Sequence, residues 1–227
     1  MWEATGLPFL YTILGVEKAS AVLLLGGRAS RYQKEKAFEE VEGEAMFVRA
    51  SRPFVESGVV SRLVFVARKD LIDEIEAILS KASLGLPYDI VQGGDSREES
   101  AKQGLSLVWH DVPALVHDAC RPYLSKELVR RVYENMTPGT IVLPAIHPRE
   151  AVYSSAEGDY LEKNDLYLIE TPEGLFPSDF FKAKEKLGDA YLSFPDEGSM
   201  FVRAGLAIKI VEGESHNEKV TFPGDLR

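Results

Sequence analysis

The sequence is poor in several things, and each shortage excludes something. It has a single cysteine, Cys120, among 227 residues. One thiol cannot build an intramolecular disulfide framework, and its scarcity fits a reducing, cytoplasmic compartment. The four histidines, His110, His117, His147 and His216, show no spacing suited to zinc. Positive charge is in deficit: the net charge of −10 argues against an electrostatic nucleic-acid surface. Long hydrophobic runs are missing too. The apolar N-terminal stretch 6–16 is interrupted by Pro8, has no Lys or Arg before it and is too short to span a bilayer, so no membrane anchor is expected. Residues 1–20 therefore read as an extension packed on the surface or partly disordered. There is no G-x-S-x-G elbow, no internal repeat and no low-complexity segment.

What is present is a rhythm. Short apolar runs at 21–25, 62–67, 88–91, 113–117 and 140–144 read as strands, several of them buried on both faces. Between them lie helical patterns. One covers 45–56, broken internally by Pro53 and ended by Ser57-Gly58. The next, over 71–81, has Asp70 as candidate cap and an apolar stripe of Leu71, Ile72, Ile75, Ile78 and Leu79. Asp95 with Glu98 has the form of a capping box for a helix running to about 107, and Ser125 can cap 126–135. Further strands are expected at 206–211 and 219–221. The alternation predicts an α/β fold, a Rossmann-like doubly wound and mostly parallel sheet, in one domain over 21–227. At 147–167 the rhythm changes. Runs at 151–154 and 160–163 flank Ala156-Glu157-Gly158-Asp159, which reads as a projecting β-hairpin arm.

Ligands of such sheets bind beyond the carboxyl ends of the strands. Three polar clusters are expected there: 26–36, 93–100 and 118–121. In the first, Gly26-Gly27 breaks the strand and Arg28, Arg31, Lys34 and Lys36 follow. A glycine turn lets backbone N–H groups approach phosphate oxygens, and cations offset the charge. The loop matches neither the Walker pattern nor G-x-G-x-x-G. Asp118 directly follows a buried strand and could hold Mg²⁺, a hard cation that favours oxygen ligands and substrate phosphates; a turn or helix-capping aspartate is the lesser alternative. His117 reads as a packed, hydrogen-bonded histidine. Arg121 could pair with an anionic substrate, and Cys120 has no feature of a nucleophile. From pattern alone, Lys219 is a surface lysine.

Together these clusters resemble the 2-C-methyl-D-erythritol 4-phosphate cytidylyltransferases of the non-mevalonate isoprenoid pathway. The resemblance rests on GGDSREES at 93–100, LVHDACRP at 115–122, TPEGLF at 171–176 and VEGESHNEKVTFPGDL at 211–226. It implies transfer of CMP from CTP to a small polyol phosphate with release of pyrophosphate, assisted by Mg²⁺ on Asp118. It also implies roles for single residues. Arg31 and Lys36 would be transition-state cations, and Leu25, Gly26, Gly27, Arg28, Ala29, Gly94, Asp95, Ser100 and Ala119 would bind CTP. Arg121, Thr171 and Lys219 would line the polyol-phosphate pocket. The arm would be exchanged across a homodimer, carrying Lys163 into the partner's site. The chain departs from the family pattern in the glycine loop, whose form is also similar to that of molybdenum-cofactor nucleotidyltransferases. It departs again at Lys163, where Arg is usual, at Glu173, where Gln is usual, and at Ala151 and Pro195, where threonines are usual. Transferases acting on ribitol 5-phosphate, other nucleotidyltransferases and a nucleotide-binding homologue without turnover share the same scaffold.

Overall fold

Strand β1, Ala19–Leu24, is buried along its whole length. Ala21 and Leu23 enter one core while Val22 and Leu24 enter the other, the alternation every strand imposes on its side chains. A strand covered on both faces has no room for polar side chains, which is why it reads as an apolar run. The computed structural model describes residues 17–25 and 36–226.

After β1 come a small hairpin, β2 (Glu40–Val41) and β3 (Glu44–Ala45), then helix α1 (Met46–Ser57) and strand β4 (Val60–Ala67). Next are α2 (Ile72–Ala82), β5 (Tyr88–Gln92), α3 (Arg97–Leu105), β6 (Ala114–Asp118), α4 (Lys126–Glu134) and β7 (Thr140–Ile146). The remainder comprises β8 (Val152–Ser154), β9 (Asp159–Leu161), β10 (Leu168–Ile169), β11 (Glu173–Leu175), α5 (Pro177–Leu187), α6 (Glu197–Ala204) and β12 (Ala207–Glu212).

The main sheet runs β10-β7-β11-β6-β1-β4-β5, with β12 also paired to β7. β6, β1, β4 and β5 are mutually parallel, and β12 is parallel to β7. Because β11 is antiparallel to both β6 and β7, all six longer strands point the same way. One core contains Phe47 and Phe54 of α1, Ile75 and Leu79 of α2, and Leu128 and Val132 of α4. The opposite core contains Leu105 of α3, Phe180 of α5 and Phe201 of α6. The expected doubly wound α/β sheet is therefore present, with its carboxyl ends along one edge. Register places Asp118 beside Leu24, Leu24 beside Val66 and Val66 beside Val91.

Four local expectations are corrected. α1 runs unbroken through Pro53. An interior proline costs a helix about 3 kcal/mol, but Met46, Phe47, Ala50, Pro53, Phe54 and Ser57 form one buried stripe that outweighs it. Asp70 caps nothing: it lies in a 3-10 turn, Lys69–Leu71, with its carboxylate taken by Arg68. The α3 cap is one residue later than expected, and the helix ends at Leu105, not near 107. Ser96 Oγ accepts from Glu99 N–H, and Glu99 Oε2 accepts from Asp95 N–H. Residues 219–221 form no strand. Val220 instead donates its N–H to Cys120 O at 2.8 Å, tying this irregular segment to the β6 end.

β8 and β9 pair only with each other, as an antiparallel hairpin with Tyr153 opposite Tyr160. No helix among the described residues is long and apolar enough to cross a membrane.

Candidate active site

Asp118, the last residue of β6, is the centre of a charged network. Its Oδ1 accepts from Arg97 Nε at 3.2 Å, and its Oδ2 from Lys219 Nζ at 2.7 Å. Burial would push the Asp118 carboxyl up, but Arg97 and Lys219 outweigh it and hold the group well below the usual carboxylate range. Arg97 in turn has Nη1 at 2.9 and 3.0 Å from the two oxygens of Glu197. Burial disfavours the guanidinium charge, and Glu197 and Asp118 more than restore it.

Behind Glu197 lies Glu173, also buried, whose Oε2 accepts from Gly198 N–H at 2.9 Å. Burial pushes the Glu173 carboxyl well up, and the neighbouring Glu197 pushes it further. Burial pushes the Glu197 carboxyl up as well, and the Arg97 guanidinium bonded to it pulls it back down, so the charge of the pair is favoured on Glu197.

A second chain of bonds sets the backbone. Asp118 N–H donates to Thr171 Oγ1 at 3.2 Å; because Arg121 O can only accept and so fixes the His117 proton on Nε2, the Thr171 hydroxyl donates to His117 Nδ1 at 2.8 Å. His117 Nε2 then carries the proton and donates to Arg121 O at 3.2 Å. That assignment needs a neutral ring. Burial pushes the His117 pKa down to about 4, so the ring is neutral at physiological pH. His117 is thus the packed, bonded histidine the sequence suggested, and it also aims Thr171.

The third strut is Asn217, fully buried, whose Nδ2 donates to Thr171 O at 2.8 Å while its own carbonyl accepts from Arg121 Nη1 at 2.7 Å. Arg121 Nε and Asn217 Oδ1 are buried without a partner among the described residues. Lys36 Nζ donates to Val220 O at 2.7 Å, which docks Lys36 on the same segment as Lys219. Burial and the nearby Asp118 raise the Cys120 thiol pKa, so it stays protonated.

Of the residues singled out from the sequence, Lys36, Asp118, Ala119, Arg121, Thr171 and Lys219 come together here. Ala119 is buried, its N–H bonded to Leu24 O. Leu25 is buried beside it, its N–H spent on Val66 O. Gly94 and Asp95 are exposed beyond the end of β5, while Ser100 is buried and its hydroxyl donates to Ser96 O. Gly94 has no room for a side chain: a Cβ there would meet Glu99 Cβ at 2.2 Å. Lys163 sits exposed on the 3-10 turn Lys163–Asp165 and makes no hydrogen bond to the network. Gly26, Gly27, Arg28, Ala29 and Arg31 lie outside the described residues.

The pattern missed Arg97, Glu197 and Asn217. Arg97 and Asn217 stand within the matched motifs, a signal that was available, whereas Glu197 had none.

Among the described residues no three His, Cys, Asp or Glu side chains converge on a metal position. Asp118 offers one carboxylate, each of whose oxygens accepts one of the bonds above and keeps a lone pair. That set fits Mg²⁺, which is commonly bound by one or two carboxylates with substrate phosphates and water completing its shell.

The family model described as 2-C-methyl-D-erythritol 4-phosphate cytidylyltransferase matches residues 20–227. A bifunctional enzyme IspD/IspF of Anaeromyxobacter sp. (strain Fw109-5) is 30% identical over 217 residues, covering 92% of this chain and 56% of that protein. A 2-C-methyl-D-erythritol 4-phosphate cytidylyltransferase of Dictyoglomus thermophilum is 25% identical over 219 residues, covering 93% of this chain and 94% of that one. The chain thus spans about half the length of the bifunctional relatives it matches. The crystal structure of 4-diphosphocytidyl-2C-methyl-D-erythritol synthase from Anaerococcus prevotii has the same fold, with a TM-score of 0.80 at 23% identity over 92% of this chain and 94% of that one. With a sheet edge that gathers the motif residues and a family model covering nearly its whole length, the chain belongs to the 2-C-methyl-D-erythritol 4-phosphate cytidylyltransferase family.

Proposed function

We propose that this chain transfers CMP from CTP to 2-C-methyl-D-erythritol 4-phosphate, releasing pyrophosphate, in the cytoplasm. The observation that carries the reading is the convergence of Lys36, Asp118, Arg121, Thr171 and Lys219 at one rim of the sheet, in a chain of this family. An oxygen of the polyol phosphate attacks the α-phosphorus of CTP. The bond from that phosphorus to the bridging oxygen breaks, and pyrophosphate leaves with the electron pair. The attacking oxygen is already ionised, so positioning and charge neutralisation carry the catalysis.

Lys219 and Arg121 hold the acceptor phosphate, and Thr171 orients it. Lys36 and Arg31 neutralise the α- and β-phosphates as the bond order shifts. Gly94 and Asp95 face the cytosine ring, with Ser100 buried beneath them. Asp118 would hold Mg²⁺, which would supply further charge neutralisation. The arm over 147–167 extends to a second copy, delivering Lys163 to that copy's site. The exposure of Tyr153 and Tyr160, 56% and 69%, supports a covered role for the hairpin in a homodimer.

Pyrophosphate release with CTP, Mg²⁺ and a panel of polyol phosphates tests the assignment. Turnover is expected with 2-C-methyl-D-erythritol 4-phosphate and not with ribitol 5-phosphate. The reverse preference would reassign the substrate, and CTP binding without turnover on any acceptor would remove the enzymatic reading.

A further inference from the structure

Asp118 is held from two sides that differ in stiffness. Lys219 approaches Oδ2 from an irregular segment, with 45% of its side chain exposed. Such a lysine is free to exchange its carboxylate for a substrate phosphate. Arg97 approaches Oδ1 from the first turn of α3 and is the less exposed of the two, with 19% of its side chain accessible and Glu197 fixing its far end. Glu197 is itself placed by its helix. Asp196 Oδ1 caps Ser199 N–H at 2.6 Å, and Glu173 takes Gly198 N–H, so the first turn of α6 is pinned on both sides. Two helix starts a hundred residues apart are thereby bolted onto one carboxylate.

The electrostatics make this a poor device for stability. Glu197 and Glu173 are two buried carboxyls, the first raising the cost of ionising the second, and among the described residues one guanidinium, that of Arg97, bonds to the pair. Replacing such a cluster as a whole with well-packed neutral side chains is often neutral or stabilising, whereas removing one partner alone leaves a buried charge unpaired. What an ionised Glu197 adds is a fixed direction for Arg97. A guanidinium nitrogen seated between two carboxylate oxygens cannot swing about its stem, so its Nε stays aimed at Asp118 Oδ1.

We infer that Glu197, acting through Arg97, is a positioning residue that fixes the Asp118 carboxylate for the transfer reaction. The inference rests on the cytidylyl-transfer reading, and the two fail separately. If the unaltered chain shows no turnover, that reading is rejected before any variant is made. With turnover established, Glu197→Gln is compared with Glu173→Gln. Both remove one member of the crowded carboxyl pair, but only the first removes a hydrogen-bonded partner of Arg97. Glu197→Gln should lower kcat about 10- to 100-fold, with KM for CTP and acceptor within about 3-fold; Tm falls too, because Arg97 loses one of its two charged partners, but the chain stays folded at the assay temperature. Glu173→Gln should raise Tm and leave kcat within about 2-fold.

The inference is overturned if Glu197→Gln keeps its kcat, if its KM rises in step with the loss of kcat, or if Glu173→Gln loses kcat equally. If Glu197→Gln does not fold, Arg97→Lys takes its place. It keeps the positive charge but cannot reach both carboxylates at once, so an unchanged kcat there also overturns the inference.

Discussion

The rim around Asp118 and the β8–β9 hairpin are built on opposite plans. At the rim, residues far apart in sequence are bonded to one another. Asp118 meets Lys219 across 101 positions, Arg97 meets Glu197 across 100, and Lys36 meets Val220 across 184. The hairpin is entirely local, three residue pairs and a turn, with Tyr153 and Tyr160 edge to face at 5.4 Å. The rim draws its geometry from the whole fold and offers cations in a fixed arrangement. Among the described residues the hairpin's strands pair only with each other, and Lys163 makes no hydrogen bond to the rim. The rim is assembled by long-range bonds, whereas the hairpin is held by short-range ones.

The comparison can be pressed at several strengths. Asp118→Asn strikes the rim at its centre, leaving Arg97 and Lys219 facing a neutral amide. Turnover should fall on the order of 10³-fold, and urea unfolding should show a loss of about 3 kcal/mol; a fully active variant would remove Asp118 from the mechanism. The rim should also be the acid-sensitive region. His117 has a pKa of about 4 when folded against about 6.5 unfolded, so its contribution is complete above pH 6.5 and is lost as pH falls towards 4. Over that window unfolding free energy should drop by about 3 kcal/mol from this group, and a flat profile would mean the ring is not buried neutral.

The arm answers to a different test. Lys163→Ala should lower turnover about 10- to 100-fold with unchanged chain stability. Mixing it with Asp118→Asn should restore about a quarter of full activity, because half the dimers are mixed and one of their two sites is intact. No recovery on mixing would confine Lys163 to its own chain. The smallest effect belongs to Tyr160→Ser, which should cost less than about 1 kcal/mol in the folded chain yet weaken self-association in sedimentation equilibrium. A large loss of chain stability would show that the hairpin is part of the core after all.

The strands were legible because burial on both faces leaves an unmistakable apolar run, as 21–25 and 113–117 illustrate. Ser125 was legible because capping is a local event. The α3 cap was read one residue early because Asp95 and Ser96 are both good caps with acidic residues three positions on, and only the backbone decides between them. α5 and α6 went unread although Phe176-Pro177 and Asp196-Glu197 carry helix-start signals. The irregular course of 219–221 depends on Cys120 and Lys36, far away in sequence, which no local pattern reveals. The same holds for Glu197. Its partner Arg97 is chosen by tertiary packing, and nothing near Glu197 in sequence announces a catalytic neighbourhood.

A crystal structure of the chain with CTP and Mg²⁺ tests the account most directly. The account predicts the triphosphate running from Lys36 to the Asp118 rim, with the cytosine ring against Gly94 and Asp95. A triphosphate bound elsewhere, leaving the Asp118–Lys219 pair and Lys36 untouched, would contradict it.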